Sequence, residues 1–281
     1  MLKPSVETRA ELRALKIRSQ RTRLTLYHVL LASALLGGWY LLTEPVLLTP
    51  QAALRLAFFF GRPLDVIGVM AEWFISGKIY PHLAITLWET ALAFAIGVLL
   101  GIVVGLWLAL SPLVDALLDP YIAALNAMPR VILAPIFVVW FGLGMTSKVA
   151  LGVTLVFFIV FFNVYQGIKE VSPTLLSNAR MLGATPRQLL RSIYIPSATS
   201  WVFSSLHTSV GMAFVGAVVG EYLGSSAGIG YLILQAESVF DINTVFAGIF
   251  VLTFFAVLLD RVVTRIERRM LRWRPAQSQT Q

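Results

Sequence analysis

The sequence predicts an all-α, polytopic membrane protein with about six transmembrane helices. Three observations carry that class. First, 58% of the 281 residues are hydrophobic and only 13% are charged, where a soluble domain is about half apolar and about a quarter charged. Second, six apolar runs approach the roughly 20 residues that cross about 30 Å of hydrocarbon at about 1.5 Å per residue. Third, the basic residues are distributed very unevenly between the connections. The net charge of +8 and pI near 10.0 therefore read as basic flanks of membrane helices, and no nucleic-acid partner is expected. The chain has no cysteine, which excludes disulfides and cysteine metal sites without naming a compartment.

Residues 1–23 form a basic tail. Residues 24–43 form the first span; no small-residue cleavage site follows it, so it reads as a retained helix rather than a signal peptide. Residues 44–85 are an external, partly helical connection. A membrane core covers 86–263, with spans at 86–110, 113–141, 149–166, 201–220 and 244–263. The span at 113–141 carries Asn126, Pro129, Arg130 and Pro135 and is expected to break around the two prolines, as helices do at membrane depth where protein or a cavity shields the backbone. Residues 264–281 form a second basic tail, expected to be disordered from 275 onward.

Charge orients the spans. With the N-terminus inside, the inner side holds Lys3, Arg9, Arg13, Lys16, Arg18, Arg21 and Arg23. It also holds Lys169, Arg180, Arg187 and Arg191, and then Arg261, Arg265, Arg268, Arg269, Arg272 and Arg274. The outer side holds only Arg55, Arg62, Lys78 and Lys148, with Arg130 unassigned. That bias puts both termini and the stretch 172–196 on the cytoplasmic side.

The stretch SPTLLSNARMLGATPRQLLRSIYIP, residues 172–196, is polar between two apolar spans. Ser172-Pro173 is a helix start, with a capping hydroxyl followed by proline at the first helical position. Gly183 stops that helix, Thr185-Pro186 repeats the start, and Pro196 is expected to end the element before the next span. Leu175, Leu176, Ala179 and Leu182 share one face; Leu189, Leu190 and Ile193 share another. A rigid, amphipathic pair of helices suits docking into a groove on a cytoplasmic partner. It equally suits a pair lying on the membrane surface.

Ser177-Asn178-Ala179-Arg180-Met181-Leu182-Gly183-Ala184, continuing through Pro186 to Ile193-Tyr194-Ile195-Pro196, resembles the signature loop of binding-protein-dependent ABC importer permeases. That pattern is Glu-Ala-Ala, three residues, Gly, nine residues, Ile, any residue, Leu, Pro. Gly183, Ile193 and Pro196 fall on its fixed positions. Ser177 replaces the Glu, Asn178 the first Ala, and Ile195 the Leu, so an ion pair through that carboxylate is not expected. Pro129-Arg130, Ala134-Pro135, the run 140–144 of Trp-Phe-Gly-Leu-Gly, Gly220-Glu221 and Gly228-Ile229-Gly230 resemble the sulfonate, taurine and nitrate branch, as does the basic end around 268–273.

The resemblance covers about residues 81–273. It implies a type I ABC importer permease fold, in which 172–196 is the coupling element seated in an ATP-binding cassette subunit. It further implies a second permease copy in a homodimer, an external solute-binding protein, and ATP and Mg bound by the partner and not by this chain. The location implied is a bacterial inner membrane.

The residues place no energy source here. Gly142–Lys148 has the flavour of a phosphate loop but the wrong spacing, and the stretch 224–230 lacks lysine. No metal-ligand cluster, nucleophile elbow or HExxH run occurs, so the chain reads as a transport subunit and not an enzyme. A stand-alone secondary transporter would need buried coupling carboxylates and an internal repeat. A membrane-embedded enzyme would need clustered acids or histidines. Those are the alternative readings.

Gly97, Gly101 and Gly105 recur every four residues, a stripe for close helix packing within the bundle or in a dimer. Ser204, Ser205, His207, Thr208 and Ser209 place polarity inside the fifth span. Such groups cost about 2.5–3.5 kcal/mol at the bilayer centre on insertion scales if charged, so they face a cavity or a partner. His207, Thr208 and Ser204 either line the translocation path or bond neighbouring helices near the cytoplasmic interface. Glu221 ends the span outside, where it contacts a delivering protein, closes an outer gate or is solvated; Glu89 reads as interfacial. Residues 231–239 are expected to form a short helix dipping into the outer leaflet.

Overall fold

A computed structural model describes residues 6–46 and 48–270; among them the chain is helical and has no strand. The helices are α1 (Val6–Thr43), α2 (Pro50–Phe60), α3 (Pro63–Ser76), α4 (Ile79–Ala109), α5 (Pro112–Ala127), α6 (Ala134–Phe141), α7 (Met145–Lys169), α8 (Pro173–Met181), α9 (Pro186–Leu189), α10 (Ile195–Leu223), α11 (Ile229–Ser238) and α12 (Ile242–Met270). Proline occupies the first turn of α2, α3, α5, α8 and α9, where its missing N–H has no helical partner to lose.

Among the described residues, five helical stretches are long and apolar enough to cross a membrane: Arg23–Thr43, Ile79–Ala109, Met145–Lys169, Pro186–Leu223 and Ile242–Glu267. A sixth exists if Pro120–Ala127 and Arg130–Phe141, which meet at 85°, are one broken span. The break comes at Met128-Pro129, where the backbone turns extended, as expected for the residue before a proline. Pro135 sits in the first turn of α6 and breaks nothing.

The core is α4, α7 and α10. The glycine stripe sets its geometry. A Cβ on Gly97, Gly101 or Gly105 would stand 2.7, 2.8 and 3.0 Å from the Cβ atoms of Val156, Val160 and Val164. The register rises together on both helices, so α4 and α7 run parallel. The stripe thus serves this chain's own bundle. α10 runs antiparallel to α7: a Cβ on Gly216 would lie 2.5 Å from Gly152 Cα, and one on Gly167 would lie 2.6 Å from the Trp201 ring. Small residues let backbones approach where lipid offers no hydrophobic driving force between helices. Buried Ala93, Val156, Val160, Val164 and Ala213 fill the space between. α11, α12 and α3 form a second layer around Val66, Trp73, Ile79, Ile229 and Val251.

We call the end of the bundle carrying α8 and α9 the elbow end, and the other the far end. α1 stands apart: its residues from Leu24 to Leu36 are exposed, as fits a helix apolar on most sides that faces lipid.

Four local expectations change. Pro196 does not end a helix: Pro186–Leu223 is continuous, through a π turn at Leu190–Tyr194. A proline inside a helix clashes with the carbonyl four residues back, and the wider turn just before it relieves that contact. Ser172 occupies an N-cap position, but its hydroxyl makes no capping bond. The tail at 1–23 is helical from Val6 and continuous with the first span, and α4 starts at Ile79, seven residues before the expected boundary. Lys3, Arg272, Arg274 and the tail 275–281 lie outside the described residues.

Candidate functional site

The elbow at 172–196 is built from local bonds. α8 ends in a left-handed glycine, Gly183 at φ +81°. Ala184 N–H donates to Ala179 O at 3.0 Å and Gly183 N–H to Arg180 O at 2.9 Å, the paired bonds of a Schellman stop. The chain then enters α9 through a capping box. Gln188 N–H donates to Thr185 Oγ1 at 3.4 Å, and Thr185 N–H donates to Gln188 Oε1 at 2.8 Å, satisfying two otherwise free donors reciprocally. Leu189 is buried, and Leu190 and Ile193 are half-buried against the bundle. Met181 and Leu182 are 79% and 89% exposed at the tip. Ser177, Asn178, Arg180 and Pro186 are exposed as well, Ala179 and Ala184 half-buried, and Pro196 exposed at the start of α10. Behind the tip is a hollow of about 330 Å³ lined by Ala179, Leu182, Gly183, Leu189 and Ile193 among others.

The elbow is tied to the bundle by Asp115. Its carboxylate accepts from Tyr165 Oη at 2.6 Å and from Lys169 Nζ at 2.5 Å. Burial pushes this carboxyl up, but the lysine and the tyrosine hydroxyl outweigh it and the net displacement is below the ordinary value. Lys169 closes α7 four residues before α8 begins, so this bond fixes where the elbow leaves the bundle.

The polar residues of α10 divide. Ser205 and Ser209 are buried in the bundle, whereas Ser204, His207, Thr208, Gly211 and Val215 form one exposed stripe at helical spacing. His207 reaches α12: Nε2 lies 2.8 Å from Asp260 Oδ1, and Nδ1 lies 3.4 Å from Thr264 Oγ1. Asp260 was not anticipated; the signal for it is a lone acid inside an apolar run.

Glu221 does not stand at a solvated end. Glu89 and Glu221 are 0% exposed and Lys148 only 4%. Lys148 Nζ donates to Glu89 Oε1 at 3.0 Å. Glu221 Oε1 accepts from Thr86 Oγ1 at 2.6 Å, and Oε2 from Gly230 N–H at 2.8 Å. Thr86 Oγ1 also accepts from Ile229 N–H at 3.1 Å, and His82 Nδ1 from Gly228 N–H at 3.1 Å. The first N–H groups of α11 have no helical partner, so side chains from α4 and α10 take them, and the carboxylate suits the positive end of the helix.

This closeness explains the glycines. A Cβ on Gly228, at φ +109°, would meet the Glu221 carboxyl carbon at 2.1 Å; one on Gly230 would meet Val218 O at 2.5 Å; one on Gly220 would meet Lys148 Cγ at 2.9 Å. Gly220-Glu221 and Gly228-Ile229-Gly230, separate in sequence, form one contact. Lys148 belongs to it and not to the outer surface charge. Its signal in the sequence is one base and two acids at the ends of apolar runs, an arrangement that favours pairing in the membrane.

Comparison with known proteins agrees with this architecture. Residues 97–272 match the family model of the binding-protein-dependent transport system inner membrane component, a span that takes in the glycine stripe, the elbow, Lys148, Glu221 and the start of α11. The chain belongs to this family. It is 34% identical over 212 residues to a putative aliphatic sulfonates transport permease protein of Bacillus subtilis, covering 75% of this chain and 77% of that protein. It is 31% identical over 202 residues to the taurine transport system permease protein of Escherichia coli, covering 72% and 74%. The inward-facing MetNI methionine ABC transporter shares the fold at a TM-score of 0.57 and 18% identity, over 70% of this chain and 96% of that one. The protein is thus the permease component of an ABC importer and a multi-pass membrane protein. Permease subunits of this family are not themselves enzymes.

Proposed function

We propose that two copies of this permease form the pathway of an importer for a small sulfonate-like anion, delivered by an external solute-binding protein. Each copy grips a separate ATP-binding subunit through residues 172–196 on the cytoplasmic side of a bacterial inner membrane. ATP and Mg bind that partner, and closure of the partner drives the elbow and turns the cavity outward. The observation that carries this reading is the elbow itself. It is a short helix with an apolar tip, locked by a Schellman stop and a capping box, so a push on Leu182 passes along α9 and the π turn into α10 without a flexible joint. The bias of basic residues supports the cytoplasmic assignment. The names of two relatives, an aliphatic sulfonates permease and a taurine permease, support the substrate class.

The exposed stripe of Ser204, His207 and Thr208 is the part of α10 available to the pathway or to the second copy. Ser177 in place of an acid means that docking relies on shape and apolar contact rather than on an ion pair at that position.

The experiment is co-purification of the tagged chain with its ATP-binding subunit, followed by ATPase assays. The permease alone is expected to hydrolyse no ATP; the assembly is expected to respond to receptor loaded with ethanesulfonate. An elbow bound to lipid, with no nucleotide-binding protein captured, refutes the reading.

A further inference from the structure

Arg130 is the charge that the sequence left unassigned. It lies at the 85° break of the third span. Its guanidinium lies 4.5 Å from the Phe158 ring centroid. Phe158 is 13 residues into the 25-residue helix α7, so Arg130 stands near half depth, far from either end of the bundle. No carboxylate pairs with it among the described residues. Nη2 donates to Asn126 Oδ1 at 2.8 Å and to Asn126 O at 3.3 Å, both neutral acceptors. The Nε donor is buried and has no hydrogen-bond partner.

A permanently charged group at this depth is costly, and an arginine does not neutralise itself by losing its proton. The two lysines of the bundle core are compensated, Lys148 by Glu89 and Lys169 by Asp115. Asn126 and the ring orient the guanidinium without cancelling its charge. A fixed, oriented fork with a spare donor matches an oxyanion of planar or tetrahedral shape.

We infer that Arg130 reads the negative charge of the transported solute, with Asn126 and Phe158 as positioning residues. This rests on the permease reading above and adds the residue that selects an anion within the membrane. Lysine at this position keeps the charge but loses the fork; glutamine loses both.

The test uses the full complex, with ATP-binding subunit and receptor, in proteoliposomes, and ethanesulfonate as the probe. Arg130→Gln is expected to lower ATP-driven uptake at least tenfold while receptor-stimulated ATP hydrolysis stays within twofold of the parent. Arg130→Lys is expected to fall between them. Uptake by Arg130→Gln within twofold of the parent overturns the inference. So does an equal loss of assembled complex in both variants, which would make Arg130 structural. Assembled parent complex that hydrolyses ATP but imports no ethanesulfonate overturns it also. Failure of the permease reading is distinct: parent chain then captures no ATP-binding subunit.

Discussion

Replacing Gly183 isolates one physical quantity. Its φ is +81°, and a Cβ built there meets nothing within 4 Å. A side chain at this position therefore clashes with no neighbour, and the whole cost is the left-handed backbone, about 1–2 kcal/mol for an ordinary L-residue. At 1.4 kcal/mol per tenfold, that is a loss of roughly 5–30-fold in the population of the bent elbow. Asparagine tolerates the conformation better, and a β-branched residue tolerates it worst. Gly183→Asn, Gly183→Ala and Gly183→Val should thus weaken binding of the ATP-binding subunit in that order. The loss should reach about 5–30-fold by Gly183→Ala, with solute imported per ATP hydrolysed falling alongside. The assay is titration of the ATP-binding subunit onto permease in nanodiscs, with the coupling ratio measured in proteoliposomes. If Gly183→Val binds and couples like the parent, or Gly183→Asn is the worst of the three, the elbow's shape does not carry the coupling.

Further outcomes follow from packing and charge. Gly101→Ala puts a Cβ 2.8 Å from Val160 Cβ and 2.9 Å from Phe157 O; overpacking of about 1–3 kcal/mol should lower the thermal midpoint in detergent, while Gly37→Ala, inside α1 with nothing within 4 Å, should leave it equal or slightly higher. Lys148→Met strands buried Glu89, a loss of about 3–5 kcal/mol when one partner of a buried pair goes; Glu89→Gln added to it should recover most of that in denaturant unfolding, and equal instability of the single and double variants contradicts the pairing. Asp115 has a folded-state value below its ordinary 3.8, so its stabilisation is complete above that pH and is lost as pH falls through the lower folded value. Because Lys169 is 40% exposed, Asp115→Asn should cost only about 0.2–1 kcal/mol at neutral pH, and the gap to the parent should close below about pH 4, read from unfolding midpoints against pH.

Much of the elbow was legible because its determinants are local. Gly183 needs a left-handed turn, Thr185 and Gln188 lie three apart, and both prolines stand where helices begin, so each signal sits within a few residues of the bond it makes. The π turn escaped because Pro196 by itself reads as a stop; only the wider turn before it lets α10 run on. The glycine stripe was visible as a surface for close packing, but whether that surface met this chain or a second copy depended on which helix carried Val156, Val160 and Val164 at matching height.

Arg130 was visible as an oddity in an apolar run. Its meaning came from depth and from the absence of an acid beside it among the described residues, neither of which is a property of its neighbours in the chain.

What the sequence determined by itself was therefore the spans and most of the local turns of the elbow at 172–196, since hydrophobic length and backbone preference act over a few residues. Only the tertiary structure decided that Glu221, Thr86 and His82 hold the start of α11, and that Lys148 answers Glu89 across 59 positions of chain. A charge in a nonpolar medium takes the partner that is nearest in space, and separation along the chain carries no information about that distance.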